Sequence, residues 1–309
     1  MKKVFIDGKA GTTGLRIEER LSGRDDIEIV TIPEELRKDT AAKKEILNSV
    51  DVAFLCLPDA AAMESVSLIE NENVVVIDTS TAHRTNPAWA YGFPELGAEF
   101  EEKIKNSRRI AVPGCHASGF IALVYPLVKN GIISKDALLT ATSLTGYSGG
   151  GKKMIADYES DELDMLLQGP RQYGLAQKHK HLPEMMKMTG LENAPVFCPI
   201  VGTFYSGMEV TVPLFKSQLL KGGVEEIKEI YKNTYKSSIV SFVEGDDEEG
   251  FLSAVKMEGK DSMQIEVFGN EDRILLVARY DNLGKGASGA AVECLNIVLG
   301  AEKTKTLEI

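Results

Sequence analysis

Over its first 115 residues the chain alternates short, continuously apolar runs with helix-length segments, a grammar that few folds accept. Lys3–Asp7, Ile27–Ile32, Val50–Leu57, Asn73–Asp78 and Arg109–Val112 read as strands; Thr13–Leu21, Thr40–Asn48 and Ala60–Glu70, the last opened by Asp59, read as helices. A strand that is apolar on both faces must be covered on both. Helices of about ten residues between such strands therefore argue for a parallel sheet with right-handed crossovers. After Cys115 the pattern changes. Ala117–Lys129 is a largely apolar helix and Ala137–Ser143 a strand. Met208, Val210, Val212 and Leu214 alternate with period two, as do Ile265 and Val267. Gly269-Asn270 suits a hairpin turn into Arg273–Tyr280. Gly223–Ser237 supplies an amphipathic helix, and Ala287–Leu299 an alanine-rich last one. The expected class is α/β, with a parallel-sheet domain followed by an α+β domain whose sheet is mostly antiparallel.

The 309 residues suit about two domains. With 35 basic and 46 acidic side chains the net charge is −11, which repels nucleic acid. Phe120–Val128, the longest apolar stretch, is about half a membrane span and is interrupted by Pro126, so no membrane partner is expected. Met1-Lys2-Lys3 runs straight into a strand with no signal-peptide core, which makes the cytoplasm the expected compartment. Cys56, Cys115, Cys198 and Cys294 form no CxxC pair and read as thiols; no metal site is expected.

Gly8-Lys9-Ala10-Gly11-Thr12-Thr13-Gly14 lies between the first strand and the first helix. Glycines there let a pyrophosphate approach the helix start, where unpaired N–H groups favour negative charge. The spacing is GxxGxxG, and an ordinary tight turn is the plainer alternative. After the second strand, Arg37 and Lys38 can hold a 2′-phosphate, while Glu34 can hold a ribose, so the choice between NAD and NADP stays open at this point.

Pro113-Gly114-Cys115-His116 ends a strand and opens a helix. A helix start favours the nucleophilic thiolate, and its N–H groups can hold an oxyanion beside the sulfur. Cys56, Cys198 and Cys294 lie inside apolar segments and suit a buried structural role. A nucleophilic cysteine needs a proton-transfer partner. His116 adjoins it but is expected to point elsewhere on the helix, and His83 lies in a polar loop. His179 and His181, in a polar loop or extended segment, can share one face. Ser148-Gly149-Gly150-Gly151-Lys152-Lys153, with Arg171, Lys178, Lys180 and Arg84, forms a cationic set in an acidic chain, suited to a phosphorylated or carboxylated substrate.

On these residues, together with Cys56-Leu57-Pro58-Asp59, Asp78–Arg84, Lys180-His181-Leu182-Pro183-Glu184 and Asp281–Ala291, the chain resembles the short-form N-acetyl-gamma-glutamyl-phosphate reductases and, more distantly, the aspartate-semialdehyde dehydrogenases. The resemblance spans essentially the whole chain. It implies a Rossmann domain, residues 1–115 and 284–309, and a substrate-binding and dimerisation α+β domain, residues 116–283. It implies an NADP(H)-dependent oxidoreductase of arginine biosynthesis that reduces an acyl phosphate through a cysteine thioester. Cys115 is then the nucleophile and His181, favoured over His179, the acid–base. Gly8, Gly11, Thr12, Thr13, Gly14, Arg37, Lys38, Asn282 and Gly284 are expected at the cofactor, and Arg84, Ser148, Gly149, His179 and Glu184 at the substrate. A homodimer or homotetramer is expected. Aspartyl phosphate or a carrier-linked aminoadipyl phosphate are alternative substrates, and a non-catalytic nucleotide-binding regulator is the alternative of a different class.

Overall fold

The computed structural model describes residues 1–309 except Lys38. The chain divides into two compact units, the first comprising Met1–Pro94, Ala98–Gly114 and Ala287–Leu307, the second Glu95–Gly97, Cys115–Gly286 and Glu308–Ile309. The seams differ from the expected 1–115 and 284–309 at identifiable contacts. Cys115 begins a helix of the second unit. Glu95 is paired through both carboxylate oxygens with Lys285 Nζ at 2.8 and 2.9 Å. The last two residues are tied to the second unit by Glu308 N–H donating to Asp261 and Lys260 Nζ donating to Ile309 O.

The first unit contains β1 (Lys2–Asp7), α1 (Thr12–Leu21), β2 (Ile27–Val30), α2 (Thr40–Ser49), β3 (Val52–Leu55), α3 (Asp59–Ser67), β4 (Val75–Asp78), β5 (Ala90–Tyr91), α4 (Ala98–Asn106) and β6 (Arg109–Ala111). All pairings are parallel, in the order β2-β1-β3-β4-β6-β5. Successive residues feed opposite cores. Val4, Ile6, Val52, Phe54, Val75 and Ile77 pack with Ile17 and Leu21 of α1, while Phe5, Ala53, Leu55, Val74 and Val76 pack with Leu47 of α2 and Ala62 of α3. That double coverage is why these strands read as unbroken apolar runs.

The second unit continues with α5 (Cys115–Lys129), β7 (Thr140–Thr145), α6 (Gly151–Tyr158), β8 (Arg171–Gln172), α7 (Leu182–Thr189), β9 (Val196–Val201), β10 (Met208–Phe215), α8 (Val224–Thr234), β11 (Val240–Phe242), β12 (Met263–Gly269) and β13 (Arg273–Tyr280). The chain then returns to the first unit with α9 (Gly289–Leu299), whose Ala290, Val292 and Leu295 join the core beside α1. The second sheet runs β11-β12-β13-β10-β7-β9-β8 and is antiparallel except at β11–β12 and β7–β9. The turn from β12 to β13 is the expected hairpin: Gly269 takes φ +100°, and Asn270 Oδ1 accepts from the N–H groups of Asp272 and Arg273.

Helix α5 lies on the buried face of that sheet. Its Pro126 has no N–H to give the carbonyl of Ala122, four residues back. Tyr235 Oη, just beyond α8, donates to that carbonyl at 2.6 Å, and Tyr231 Oη donates to Leu123 O at 2.5 Å. Gly119 lets the helix approach closely, since a Cβ there would come within 2.7 Å of both Tyr280 Oη and Val210 Cγ2.

Candidate active site

Cys115 is the first residue of α5, and none of the four cysteines is in a disulfide. The helix start is pinned from β13, because Tyr280 Oη donates to Cys115 O at 2.5 Å and accepts from Gly119 N–H at 3.0 Å. Gly286 abuts it too; a Cβ there would stand 3.1 Å from Cys115 Cβ. The other thiols are placed differently. Burial pushes Cys56 up to about 12, which keeps it protonated and inert, and Cys294 is wholly buried in the first core.

Three of the four histidines gather in the second unit. His179 and His181 stand 4.7 Å apart between ring centroids, and each lies 5.6 Å from His116. The shared side comes from a turn and not from an extended strand: Leu182 N–H donates to His179 O, and His181 precedes α7 in a helical conformation. Within that turn His181 N–H donates to His179 Nδ1 at 3.2 Å. A neutral imidazole whose Nδ1 accepts carries its proton on Nε2. Burial, followed by the charge of Lys180, lowers the pKa of His179, and with Nδ1 accepting from His181 the neutral ring offers its Nε2–H outward. His181 is 4% exposed and is left as the acid–base candidate of the pair.

His116 is buried among these rings, its Nδ1 2.7 Å from Ser143 Oγ and its Nε2 2.5 Å from Tyr173 Oη. Burial, then His179, pushes it down to about 3, so it is neutral. Tyr173 and Ser143 were missed by sequence reasoning. The pKa of Tyr173 is raised, by burial first and then by the charge of Cys115. Tyr280 is raised likewise, by burial first, then by Cys115, with a smaller contribution from buried Glu184 at the start of α7.

The Gly146–Gly151 loop forms a 3-10 turn leading into α6. Ser148 is buried and accepts from Asn282 Nδ2 at 3.0 Å, while Asn282 Oδ1 accepts from Gly207 N–H. Ser148, Gly149 and Asn282 are thus brought together. Gly284 is closely packed. Its N–H donates to Asp281, and a Cβ would collide with the carbonyl of Lys260. Lys152, Lys153, Lys178 and Lys180 are exposed, whereas Arg171 bonds Tyr158 Oη.

In the first unit, Arg84 is buried and donates to the carbonyls of Val112 and Thr79, both at 2.8 Å, bracing the segments that follow β4 and β6. His83 is likewise buried, bonded to Asp78 at 2.6 Å and stacked 4.0 Å from Trp89. The glycine turn is built for close backbone approach. Gly8 has φ +82°, and a Cβ on it would meet Cys56 O at 2.3 Å; a Cβ on Gly14 would meet Gly8 O at 2.6 Å. Gly11 opens α1 with no side chain capping it, and Thr12 and Thr13 follow. Beside the turn is a cavity of about 220 Å³ walled by Asp7, Gly8, Lys9, Thr31, Arg37 and Lys43, among others. Three cations thus face it, paired for now with carboxylates: Lys9 with Glu18, Arg37 with Glu34, and Lys43 with Asp7. A bare helix start and exchangeable cations fit a phosphorylated dinucleotide. Lys38 lies outside the described residues. Among those residues no cluster of three or more His, Cys, Asp or Glu is arranged to hold a metal, and no helix is long and apolar enough to cross a membrane.

Comparison with known proteins agrees with this division. Residues 3–106 match the semialdehyde dehydrogenase NAD binding domain, and residues 115–282 the semialdehyde dehydrogenase dimerisation domain. An N-acetyl-gamma-glutamyl-phosphate reductase of Sinorhizobium medicae is 46% identical over 308 residues, 97% of this chain and 99% of that one. Aspartate semialdehyde dehydrogenase II of Vibrio cholerae shares the fold at a TM-score of 0.72 and 17% identity, over 97% of this chain and 98% of that one. Aspartate semialdehyde dehydrogenase of Candida albicans, solved with NADP, does so at 0.68 and 16%, over 97% and 99%. The chain belongs to the semialdehyde dehydrogenase family, among the N-acetyl-gamma-glutamyl-phosphate reductases.

Proposed function

We propose that the chain catalyses the NADPH-dependent reduction of N-acetyl-L-glutamyl 5-phosphate to N-acetyl-L-glutamate 5-semialdehyde and phosphate, in the arginine biosynthesis of the cytoplasm. The observation that carries this reading is the Cys115 thiol at an uncrosslinked helix start, in the same unit as three clustered histidines, in a chain 46% identical to a reductase of that name. Cys115 thiolate attacks the acyl carbon, the carbon–oxygen bond to phosphate breaks, and a thioester remains. What NADPH supplies when bound is hydride for the thioester carbonyl. Gly8, Gly11, Thr12, Thr13 and Gly14 hold its pyrophosphate, Arg37 and Lys38 its 2′-phosphate, and Asn282 and Gly284 serve the nicotinamide end. His181 gives a proton to the oxyanion of the reduced adduct and takes it back as the carbon–sulfur bond breaks, freeing aldehyde and thiolate. A thioester keeps the carbonyl electrophilic and divides one hard step into two.

Ser148 and Gly149, His179 through Nε2–H, and Glu184 contact the substrate. Arg84 serves it by bracing the Val112 carbonyl just before the nucleophile turn. Assembly as a homodimer or homotetramer runs through residues 115–282, which match a dimerisation domain. The test is the reverse reaction: N-acetylglutamate semialdehyde, inorganic phosphate and NADP⁺ should give reduced nicotinamide absorbance. Faster turnover with aspartate semialdehyde, or with NAD⁺, would reassign the substrate or the cofactor.

A further inference from the structure

The charges beside the glycine turn are not arranged as in a Rossmann domain that prefers NAD. Such a domain holds an acid at the end of its second strand, where it accepts the 2′-hydroxyl of the adenosine ribose. Here Thr31-Ile32-Pro33 follows β2, and the next residue, Glu34, has both carboxylate oxygens 2.7 Å from Arg37 Nη1 and a side chain 81% exposed. The acid that reaches the cavity comes from the first strand instead. Asp7, the last residue of β1, is the one carboxylate among the described residues that line it, against the cations Lys9, Arg37 and Lys43.

That carboxylate is covered. Lys43 Nζ, on α2, lies 2.9 Å from Asp7 Oδ2, and Ser65 Oγ, on α3, donates to the same oxygen at 3.0 Å. Of the three ion pairs at the cavity this is the most enclosed, its side chains 18% and 13% exposed. Water screens the Lys9–Glu18 and Arg37–Glu34 pairs more strongly. Loss of the Lys43 charge would strand a mostly enclosed carboxylate on the cavity wall, which is costly for any anion entering it. An ammonium has three donors, enough to hold Asp7 and a phosphate oxygen at once.

We propose that Lys43 and Asp7 together set the preference for NADP(H) over NAD(H). Lys43 binds the 2′-phosphate beside Arg37. By covering Asp7 it also keeps that carboxylate from repelling the phosphate or accepting a 2′-hydroxyl. The inference rests on the cavity beside the glycine turn taking the adenosine half of the cofactor.

The test titrates the full chain with NADPH and with NADH, read by nicotinamide fluorescence at fixed ionic strength. Lys43→Met keeps the aliphatic stem and loses the charge. It should weaken NADPH by about 10–100-fold, the worth of a hydrogen bond to a charged group, and leave NADH no weaker. Adenosine 2′,5′-bisphosphate, which carries the phosphate without the nicotinamide, should lose affinity by a similar factor in calorimetry. Adding Asp7→Asn to Lys43→Met should recover part of the NADPH affinity, because the amide still accepts from Ser65 but carries no charge. Retained NADH binding shows that each variant is folded. Equal losses for the two nucleotides in Lys43→Met, or a double variant no better than the single one, overturn the proposal. A natural chain that binds neither nucleotide overturns the cofactor reading itself, and the proposal with it.

Discussion

At the scale of single residues, the proposed chemistry divides between one sulfur and two similar rings. Cys115→Ser should lose turnover by on the order of 10³-fold or more while NADPH binding, measured by nicotinamide fluorescence, stays intact. Because His179 Nδ1 accepts the His181 N–H, His181→Asn should cost about 10²–10⁴-fold in kcat and His179→Asn clearly less. The reverse ranking would exchange their roles. Cys115 is legible in the sequence because Pro113-Gly114 ends a strand immediately before a helix, and that turn chemistry is local. The His-x-His pair is legible too, though for a different reason than period-two spacing, since a turn brings the rings together. His116, Ser143 and Tyr173 are not legible as a group. They lie 27 and 57 residues apart in the chain, and only the packing of α5 on the second sheet brings them into contact.

At the scale of elements, the alternation of doubly covered strands made the first sheet readable, and the Gly269-Asn270 turn made the β12–β13 hairpin readable. The elements that escaped are short or weakly patterned. β5 is two residues long, α4 has Ile104 as its buried residue, and α6 and α7 are eight residues each, in a region whose glycines and charges look like loop. Close packing leaves sharper tests than periodicity. Gly119→Ala would drive a methyl into Tyr280 Oη and Val210, so α5 must move off β10 and β13. Overpacking of that kind costs about 1–3 kcal/mol, read as a lower urea midpoint. It should also release the hydrogen bond from Tyr280 that holds the helix start at Cys115. Gly8→Ala meets backbone, not a movable side chain, at a positive φ, and should abolish NADPH binding in the same fluorescence titration.

At the scale of the whole molecule, the buried ring of His116 shapes the response to acid. His116 is pushed down to about 3 when folded, against 6.5 when unfolded. The unfolded chain therefore binds the extra proton first. Stability is undiminished above about pH 6.5 and falls as pH drops toward 3, by up to about 1.4 kcal/mol per pH unit. His179, also lowered, acts in the same sense. Glu209 and Glu266, raised chiefly by burial, act in the opposite one and soften the slope above pH 4.5. Asp26 and Glu248 are held low chiefly by hydrogen bonds from Arg24 and Arg279, so their contribution is lost only below their unfolded values near 4. The windows separate the causes. Between pH 7 and pH 5, urea unfolding of His116→Gln, which keeps a donor and an acceptor but no titrating ring, should lose about 2 kcal/mol less stability than the natural chain. Only below about pH 3, where the folded ring is protonated as well, should the two run parallel. Equal losses between pH 7 and pH 5 would mean that the ring takes up its proton inside the folded protein. The neutral imidazole between Ser143 and Tyr173 would then have no basis.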